Sequence, residues 1–358
     1  MSWVARARER SQHVRVRFGA TPLGRAADTL TLWLWAALTG VTAAAATVGF
    51  RELIRGIEWL ATHSSSGLVQ AARSLPPWQR VAVCTVGGLL AGLALHWGER
   101  WARRGPRGTH HIDYIEAARD GSVALNDRTT LVRSASALLS VGTGASIGRE
   151  GPMVQLSAWL STVLARVSPL PADQRNALLV CGIAAGIGSA YHAPVAGVVF
   201  VLELALGFFA RHTVAPVLIA ASTSSALIYW LFESQPLYVM TPVMHAPSNL
   251  LVPLATGLVC GGVGWGLLAV LDASKRLFAH VPPLPLRLTL GGVLVGLISA
   301  GVPEVWGNGY SVVSHLLQGG SAWQWVALIL AAKVAATALS AGSGAIGGVF
   351  TPTLFVGA

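Results

Sequence analysis

Glu150 is the side chain best placed to do chemistry, because with Arg149 it interrupts a segment otherwise fit for lipid. No Asp, Glu, Lys or Arg occurs from Ser134 to Gly148, and the next one after Glu150 is Arg166. An ionisable group at membrane depth is costly, so it normally faces a cavity and marks the path of an ion or substrate. Its context, Ser146-Ile147-Gly148-Arg149-Glu150-Gly151-Pro152, reads as a helix break followed by a new helix from Pro152 onward. The first N–H groups of such a helix lack intrahelical acceptors and lie at the positive end of its dipole, so they attract anions.

A second break of the same kind stands late in the chain, at Gly347-Gly348-Val349-Phe350-Thr351-Pro352. Each places glycines ahead of a proline that opens a helix, exposing several N–H donors in a row. If the two halves are inverted repeats, these helix starts meet near the membrane midplane. Two positive helix ends around one point would make an anion site without a full cationic side chain.

The elements that must position these breaks are membrane helices. Of 358 residues, 53% are hydrophobic and 11% charged, with mean hydropathy +0.59, against about 25% charged in a soluble domain. The net charge of +10 comes from scattered basic residues, of which only Lys275 and Lys333 are lysines. That pattern points to membrane topology rather than to nucleic acid. The arm of residues 1–28 carries Arg6, Arg8, Arg10, Arg15, Arg17 and Arg25 and is expected to stay cytoplasmic. The span Thr29 to Phe50 is too long for a typical signal-peptide core, despite the small residues Ala43 to Ala46. Val81 to Trp97 returns the chain to the basic cluster Arg100 to Arg133, across a loop holding only Arg51, Arg55, Arg73 and Arg80.

Later spans are broken up: Thr129 to Val141, Met153 to Leu164, Asn176 to Ala190, Pro194 to Leu206, Thr213 to Phe232, Leu251 to Leu271, Leu288 to Ala300, Trp325 to Leu339, and a last one from near Val349. Several fall short of the roughly 20 residues of a straight crossing. Helices ending inside the protein are permitted only where the backbone is shielded from lipid, as in transporters and channels. The expected fold is all-α: a polytopic membrane protein with inverted repeats and broken, partly crossing helices. Its parts are the arm 1–28, a first repeat 29–232 and a second repeat 233–358.

Other residues carry plainer readings. Cys84, Cys181 and Cys260 lie singly in apolar stretches and read as buried small side chains. Adjacent His110 and His111 lack a third ligand, so no metal site is expected. Glu203, late in an apolar span near Arg211, is either a paired or solvated structural carboxylate or a proton relay. Lys333 is either a snorkelling lysine or a cation raising the potential of an anion path. Trp33 and Trp35, near the start of the first span, suit an interfacial belt. The many glycines suit close helix packing.

At its breaks the chain resembles the CLC family of chloride channels and chloride/proton exchangers. The resemblance rests on GREGP at Gly148 to Pro152, on GGVFTP at Gly347 to Pro352, and on Gly182-Ile183-Ala184-Ala185-Gly186 leading to Tyr191-His192-Ala193-Pro194-Val195-Ala196-Gly197. Thr109 to Ala117 and Trp306-Gly307-Asn308-Gly309-Tyr310 look closest to the bacterial ClcB-like branch. The resemblance implies that Glu150 is the gate, its carboxylate competing with chloride for the outer anion position. It also implies that Gly148, Arg149, Glu150, Gly151, Pro152, Gly348, Val349, Phe350 and Thr351 form the anion-binding segments through their backbone amides.

The chain departs from the family pattern in three places. Where the family carries GSGIP this chain has Gly108-Thr109-His110-His111-Ile112, so Thr109 takes the place of the inner serine. Leu204 occupies the internal-proton position of exchangers, leaving Glu203 as the remaining relay. The chain stops at Ala358 just inside the helix after the second motif, so an incomplete chain is expected, without the closing helices and their coordinating tyrosine.

The resulting expectation is a chloride channel gated by Glu150, in a bacterial inner membrane with a cytoplasmic N-terminus. A chloride/proton antiporter of the same fold is the alternative; a non-transporting subunit or intramembrane enzyme is more distant, since no nucleophile–base pair or metal constellation is visible. No cofactor is expected beyond chloride as cargo. The expected partners are membrane lipid and, at full length, a second copy in a homodimer, with no nucleic acid.

Overall fold

The computed structural model describes residues 22–104, 113–120, 125–204, 213–232, 251–318 and 322–357. Regular structure among them is helical, apart from a single-pair β-bridge. In chain order the helices are α1 (Pro22–Thr62), α2 (Leu68–Ser74), α3 (Pro77–Arg103), α4 (Tyr114–Asp120), α5 (Asp127–Gly142), α6 (Glu150–Val167), α7 (Ala172–Tyr191), α8 (Pro194–Leu204), α9 (Val214–Leu231), α10 (Leu251–Ala279), α11 (Leu284–Gly301), α12 (Tyr310–Leu317), α13 (Trp323–Ser343) and α14 (Phe350–Gly357). A 3-10 turn, Pro303–Val305, follows α11.

Local chemistry sets many of these ends. Pro77 opens α3, and Arg100 and Arg103 close it where a helix favours positive charge. The Asn126 side chain caps α5 by accepting from the Thr129 N–H at 3.1 Å. Gly344, at φ +92, stops α13 with its N–H turned back to the Ala341 carbonyl.

Six stretches are long and apolar enough to cross a membrane: Asp28–Thr62, Pro77–Arg103, Val214–Leu231, Leu251–Ala279, Leu284–Gly301 and Trp323–Ser343. The protein is a multi-pass membrane protein. The expected short helices are present too, α5 with 16 residues, α8 with 11 and α14 with 8. The first helix departs from its expected end. The first helix runs on past Phe50 to Thr62, so Arg51 and Arg55 lie on a helix rather than in a loop. Arg51, Ile54 and Glu58 are buried there, so one face of this extension packs against protein.

The chain forms two compact units that interleave in sequence: residues 1–45, 113–125 and 157–233, and residues 46–112, 126–156 and 234–358. In the first, α7, α8 and α9 pack through small residues. Ser224 donates to the Ala185 carbonyl at 2.8 Å, and a Cβ on Gly197 would lie 2.5 Å from the Ala184 carbonyl oxygen. Leu32, Ala165, Leu170 and Leu178 form its apolar cluster.

In the second unit α3 and α11 pack antiparallel through two interlocking Gly-x-x-x-Gly faces. A Cβ on Gly88 would stand 2.5 Å from the Leu288 carbonyl oxygen, and one on Gly92 would stand 2.7 Å from the Pro285 Cα. On the opposite helix a Gly296 Cβ would stand 2.7 Å from the Val81 Cα, and a Gly292 Cβ would run into the Cys84 carbonyl. Lipid gives helices no hydrophobic reason to associate, so backbone approach of this kind supplies the dispersion contact that does. Arg80 seals the far end by donating to the Ser299 carbonyl at 2.9 Å.

Gly292→Val is therefore expected to lower stability by about 1–3 kcal/mol, read as an earlier thermal midpoint in detergent. Gly257→Ala on α10, where a Cβ meets nothing within 4 Å, is expected to leave it in place.

Candidate functional site

Both sequence breaks fall in the second unit, and the structure brings them together. The Gly148 N–H donates to the Gly348 carbonyl at 2.7 Å and the Gly348 N–H donates to the Gly148 carbonyl at 2.8 Å. These reciprocal bonds make the β-bridge. They satisfy backbone groups that a broken helix would otherwise bury unpaired. The approach requires glycine: a Gly151 Cβ would lie 3.3 Å from the Gly348 Cα, a Gly348 Cβ would lie 3.1 Å from the Gly151 N, and a Gly148 Cβ would overlap the Glu150 carboxylate. Ser146 ties the first break to α13, its N–H donating to Ser340 Oγ at 3.0 Å and its hydroxyl sharing a hydrogen bond with Thr337 Oγ1 at 3.1 Å.

The new helices start at Glu150 and Phe350, each two residues ahead of the proline expected to open them. First-turn N–H groups have no intrahelical acceptor, so Pro152 and Pro352 cost the helix nothing as its third residue. Glu150 thus occupies the first position of α6 and Phe350 the first of α14.

Glu150 is 7% exposed. Its Oε1 accepts from Asn308 Nδ2 at 2.7 Å, while Oε2 is buried with no hydrogen-bond partner among the described residues. Half-buried Arg149 turns to a cavity of about 700 Å³, which Arg55, Glu58, Arg73, Asn308 and His315 also line. Glu58 is buried and accepts from the Gly67 N–H at 2.9 Å. The cavity wall is thus rich in guanidinium groups, with Asn308 between it and the glutamate.

The expected anion-binding segments, Gly148 to Pro152 and Gly348 to Thr351, are adjacent. Thr351 is buried, whereas Val349 and Phe350 are exposed. Glu203 is exposed near the end of α8, in the first unit. Thr109, with His110 and His111, lies outside the described residues.

Sequence reasoning missed how the Val302–Tyr310 connection is held. Trp306 is fully buried in a cluster with Ala72, Cys84, Val295, Val305 and Ala336, and its ring lies where a Gly144 Cβ would fall, 2.5 Å away. Glu304 accepts two hydrogen bonds from Arg73, at 3.1 and 2.7 Å. Lys333 is fully buried and donates to the Val305 and Gly307 carbonyls at 2.9 and 2.7 Å. It therefore does not snorkel: it clamps a loop. Gly307 and Gly309 take positive φ on either side of Asn308, +68 and +89. Those flanking glycines were the available signal of a tightly turned, specified loop.

Comparison with known proteins decides what this arrangement belongs to. The family model for the voltage gated chloride channel matches residues 87–358, a stretch that contains both breaks and the clamped loop. The chain belongs to this family. It is similar to a ClcB-like protein of Ralstonia nicotianae, 48% identical over 329 residues that cover 90% of this chain and 76% of the relative. It is also similar to the voltage-gated ClC-type chloride channel ClcB of Salmonella dublin, 39% identical over 331 residues, 90% of this chain and 78% of the relative. Among solved structures it resembles a slow cyanobacterial Cl⁻/H⁺ antiporter, with TM-score 0.77, 20% identity, and coverage of 91% of this chain and 77% of that one. That last likeness is one of fold. The CLC resemblance drawn from the GREGP and GGVFTP segments holds, as does the ClcB-like branch drawn from Thr109 to Ala117 and Trp306 to Tyr310.

For this member of the family, Lys333→Met would leave two buried carbonyls without donors, at about 1–3 kcal/mol each. The expected outcome is an earlier thermal midpoint in detergent, in a helix whose apolar character is otherwise unchanged. An unchanged midpoint would show that water or backbone movement satisfies both carbonyls.

Proposed function

We propose that this chain conducts chloride through the membrane as a CLC-type channel in which Glu150 is the gate. One observation carries the reading. A carboxylate with an unpartnered buried oxygen stands at the first position of α6, where the preceding glycine is bridged to the glycine ahead of α14. Buried polar oxygens are normally satisfied, and exceptions tend to mark function. Here the positive ends of two helices start beside one carboxyl group.

The chemistry follows from competition. An ionised Glu150 presents negative charge where the helix ends favour an anion, so it excludes chloride from that position electrostatically. Protonation removes the charge, and the amides become free to receive the ion. Amide dipoles bind an anion without a full countercharge, loosely enough for it to leave again. The arginines of the cavity, Arg55, Arg73 and Arg149, would raise local anion concentration at its mouth.

In this reading the outer anion segments are Gly148 to Pro152 and Gly348 to Thr351, with Arg149 to Gly151 and Val349 to Thr351 as the amide donors and Thr109 as the inner hydroxyl. The segments 29–232 and 233–358 are the two inverted repeats, the N-terminal arm is cytoplasmic, the membrane is the bacterial inner membrane, and two copies pair in the full-length protein. The work is transport rather than catalysis.

Coupled chloride/proton exchange is the competing reading, since a fold this similar serves a Cl⁻/H⁺ antiporter. Leu204 cannot hold a proton, and Glu203 would have to relay it instead.

Two measurements test these roles. Glu150→Gln, which mimics the protonated gate, is expected to flatten the pH dependence of chloride efflux from liposomes without loss of folded protein; a mutant that keeps the parental profile removes Glu150 from the gate. Liposomes given a chloride gradient are expected to show no uphill proton movement. Robust pumping that persists in Glu203→Gln would replace the channel reading with exchange through another proton route.

A further inference from the structure

We propose that Asn308 is a positioning residue that latches the Glu150 carboxylate in its blocking position, from a loop that Lys333 and Trp306 hold rigid. The inference rests on the gate reading of Glu150 and adds to it a partner on a distant part of the chain. Its basis is a continuous chain of contacts within the second unit. Lys333 on α13 donates to the carbonyls of Val305 and Gly307 at 2.9 and 2.7 Å. Between and just beyond these carbonyls, Trp306 is sunk in the core and Asn308 projects toward the glutamate.

Both ends of the Asn308 amide are committed. Nδ2 donates to Glu150 Oε1 at 2.7 Å, and Oδ1 accepts from the Tyr310 N–H at 3.1 Å. The second bond fixes which end of the amide faces the glutamate, because an acceptor is needed at Tyr310 and a donor at the carboxylate. The glycines on each side set the turn, and a Cβ on Gly309 would lie 2.7 Å from Phe355 of α14 and 3.3 Å from the Lys333 side chain. The loop is therefore wedged against the same short helix that carries the second break. It has little room to follow Glu150 if the carboxylate moves.

A fixed amide N–H is a donor only. It bonds an ionised carboxylate more strongly than a protonated one, whose carbonyl oxygen accepts only a neutral hydrogen bond. Holding is thus selective for the charge state that blocks the path, and release accompanies neutralisation. The position of Asn308 on the wall of the arginine-lined cavity puts the latch at the boundary between that cavity and the buried Oε2.

The charged and titratable groups around this contact are Arg149 beside it, Arg55 and Glu58 on α1, Arg73 on α2, Tyr310 and His315 on α12 and Lys333 on α13. All remain unchanged in Asn308 variants, so a displaced pH profile reports on the Asn308–Glu150 contact itself.

The test is chloride efflux from liposomes across the acidic to neutral range, with the parent chain, Asn308→Leu, Asn308→Ser and Glu150→Gln. Leucine keeps the volume but removes both hydrogen bonds. Serine keeps an oxygen able to accept from the Tyr310 N–H yet is too short to reach Glu150. Both are expected to move the midpoint of the flux–pH profile to higher pH by about one unit, the tenfold change typical of a lost hydrogen bond to an ionised group. If Asn308→Leu does not yield folded protein, Asn308→Ser carries the test alone. A parental midpoint in the serine variant overturns the latch, and a shift confined to leucine overturns it in favour of a purely structural cap on α12. A flat Glu150→Gln profile beside unmoved Asn308 variants removes the latch and leaves the gate. A parental profile in Glu150→Gln removes both.

Discussion

Two backbone hydrogen bonds between Gly148 and Gly348 underlie the arrangement of this protein's second unit. A helix that stops inside an apolar protein strands its terminal N–H and carbonyl groups, and lipid offers no water to satisfy them. This chain stops helices twice and lets the two stops satisfy each other. The solution demands glycine at the contact, since a Cβ at Gly148, Gly151 or Gly348 would meet the opposite strand or the Glu150 carboxylate. It also sets α6 and α14 starting side by side. Beside the bridge, at the start of α6, one oxygen of Glu150 stays buried with no hydrogen-bond partner among the described residues.

The scaffold around the bridge follows the same rule of replacing water with designated partners. Ser146 reaches α13 through its N–H and its hydroxyl, Arg287 on α11 donates to the Ser343 carbonyl at the end of α13, and Arg80 does the same at the end of α11. Lys333 is the most buried example, a fully enclosed amine whose hydrogen bonds go to two loop carbonyls. Such a group is tolerated because removing it would leave those carbonyls bare. Rigidity of the Val302–Tyr310 loop is what the unit gains. That rigidity lets one side chain, Asn308, be presented to Glu150 at fixed geometry.

Packing elsewhere answers a different constraint. Helices in lipid gain nothing from hiding Leu or Val, so α3 and α11 associate by removing side chains instead, with Gly88, Gly92, Gly292 and Gly296 admitting the opposite backbone. Large apolar side chains are left facing outward, among them Leu254, Leu258 and Trp265 on α10. An inside-out distribution of this sort is what a lipid solvent permits.

The sequence by itself determined the class, the cores of the spans and the place of the two breaks. A lone Glu-Arg pair in an uncharged stretch, two glycine-before-proline breaks and an apolar composition each report on local backbone or on transfer cost, which neighbouring residues decide. The cores of the long spans and the brevity of α5, α8 and α14 were legible for that reason. The helix start at Glu150 was not, because a proline is equally at home anywhere in a first turn. Nor was the run of α1 past Phe50, since charged residues read as loop until tertiary packing buries Arg51 and Glu58. Only the tertiary structure decided that the expected meeting of the two breaks is a Gly148–Gly348 bridge, that Lys333 serves carbonyls of Val305 and Gly307, and that Asn308 bonds Glu150. Each of these joins residues far apart in the chain through directional hydrogen bonds, and no periodicity or composition encodes the partner of such a bond.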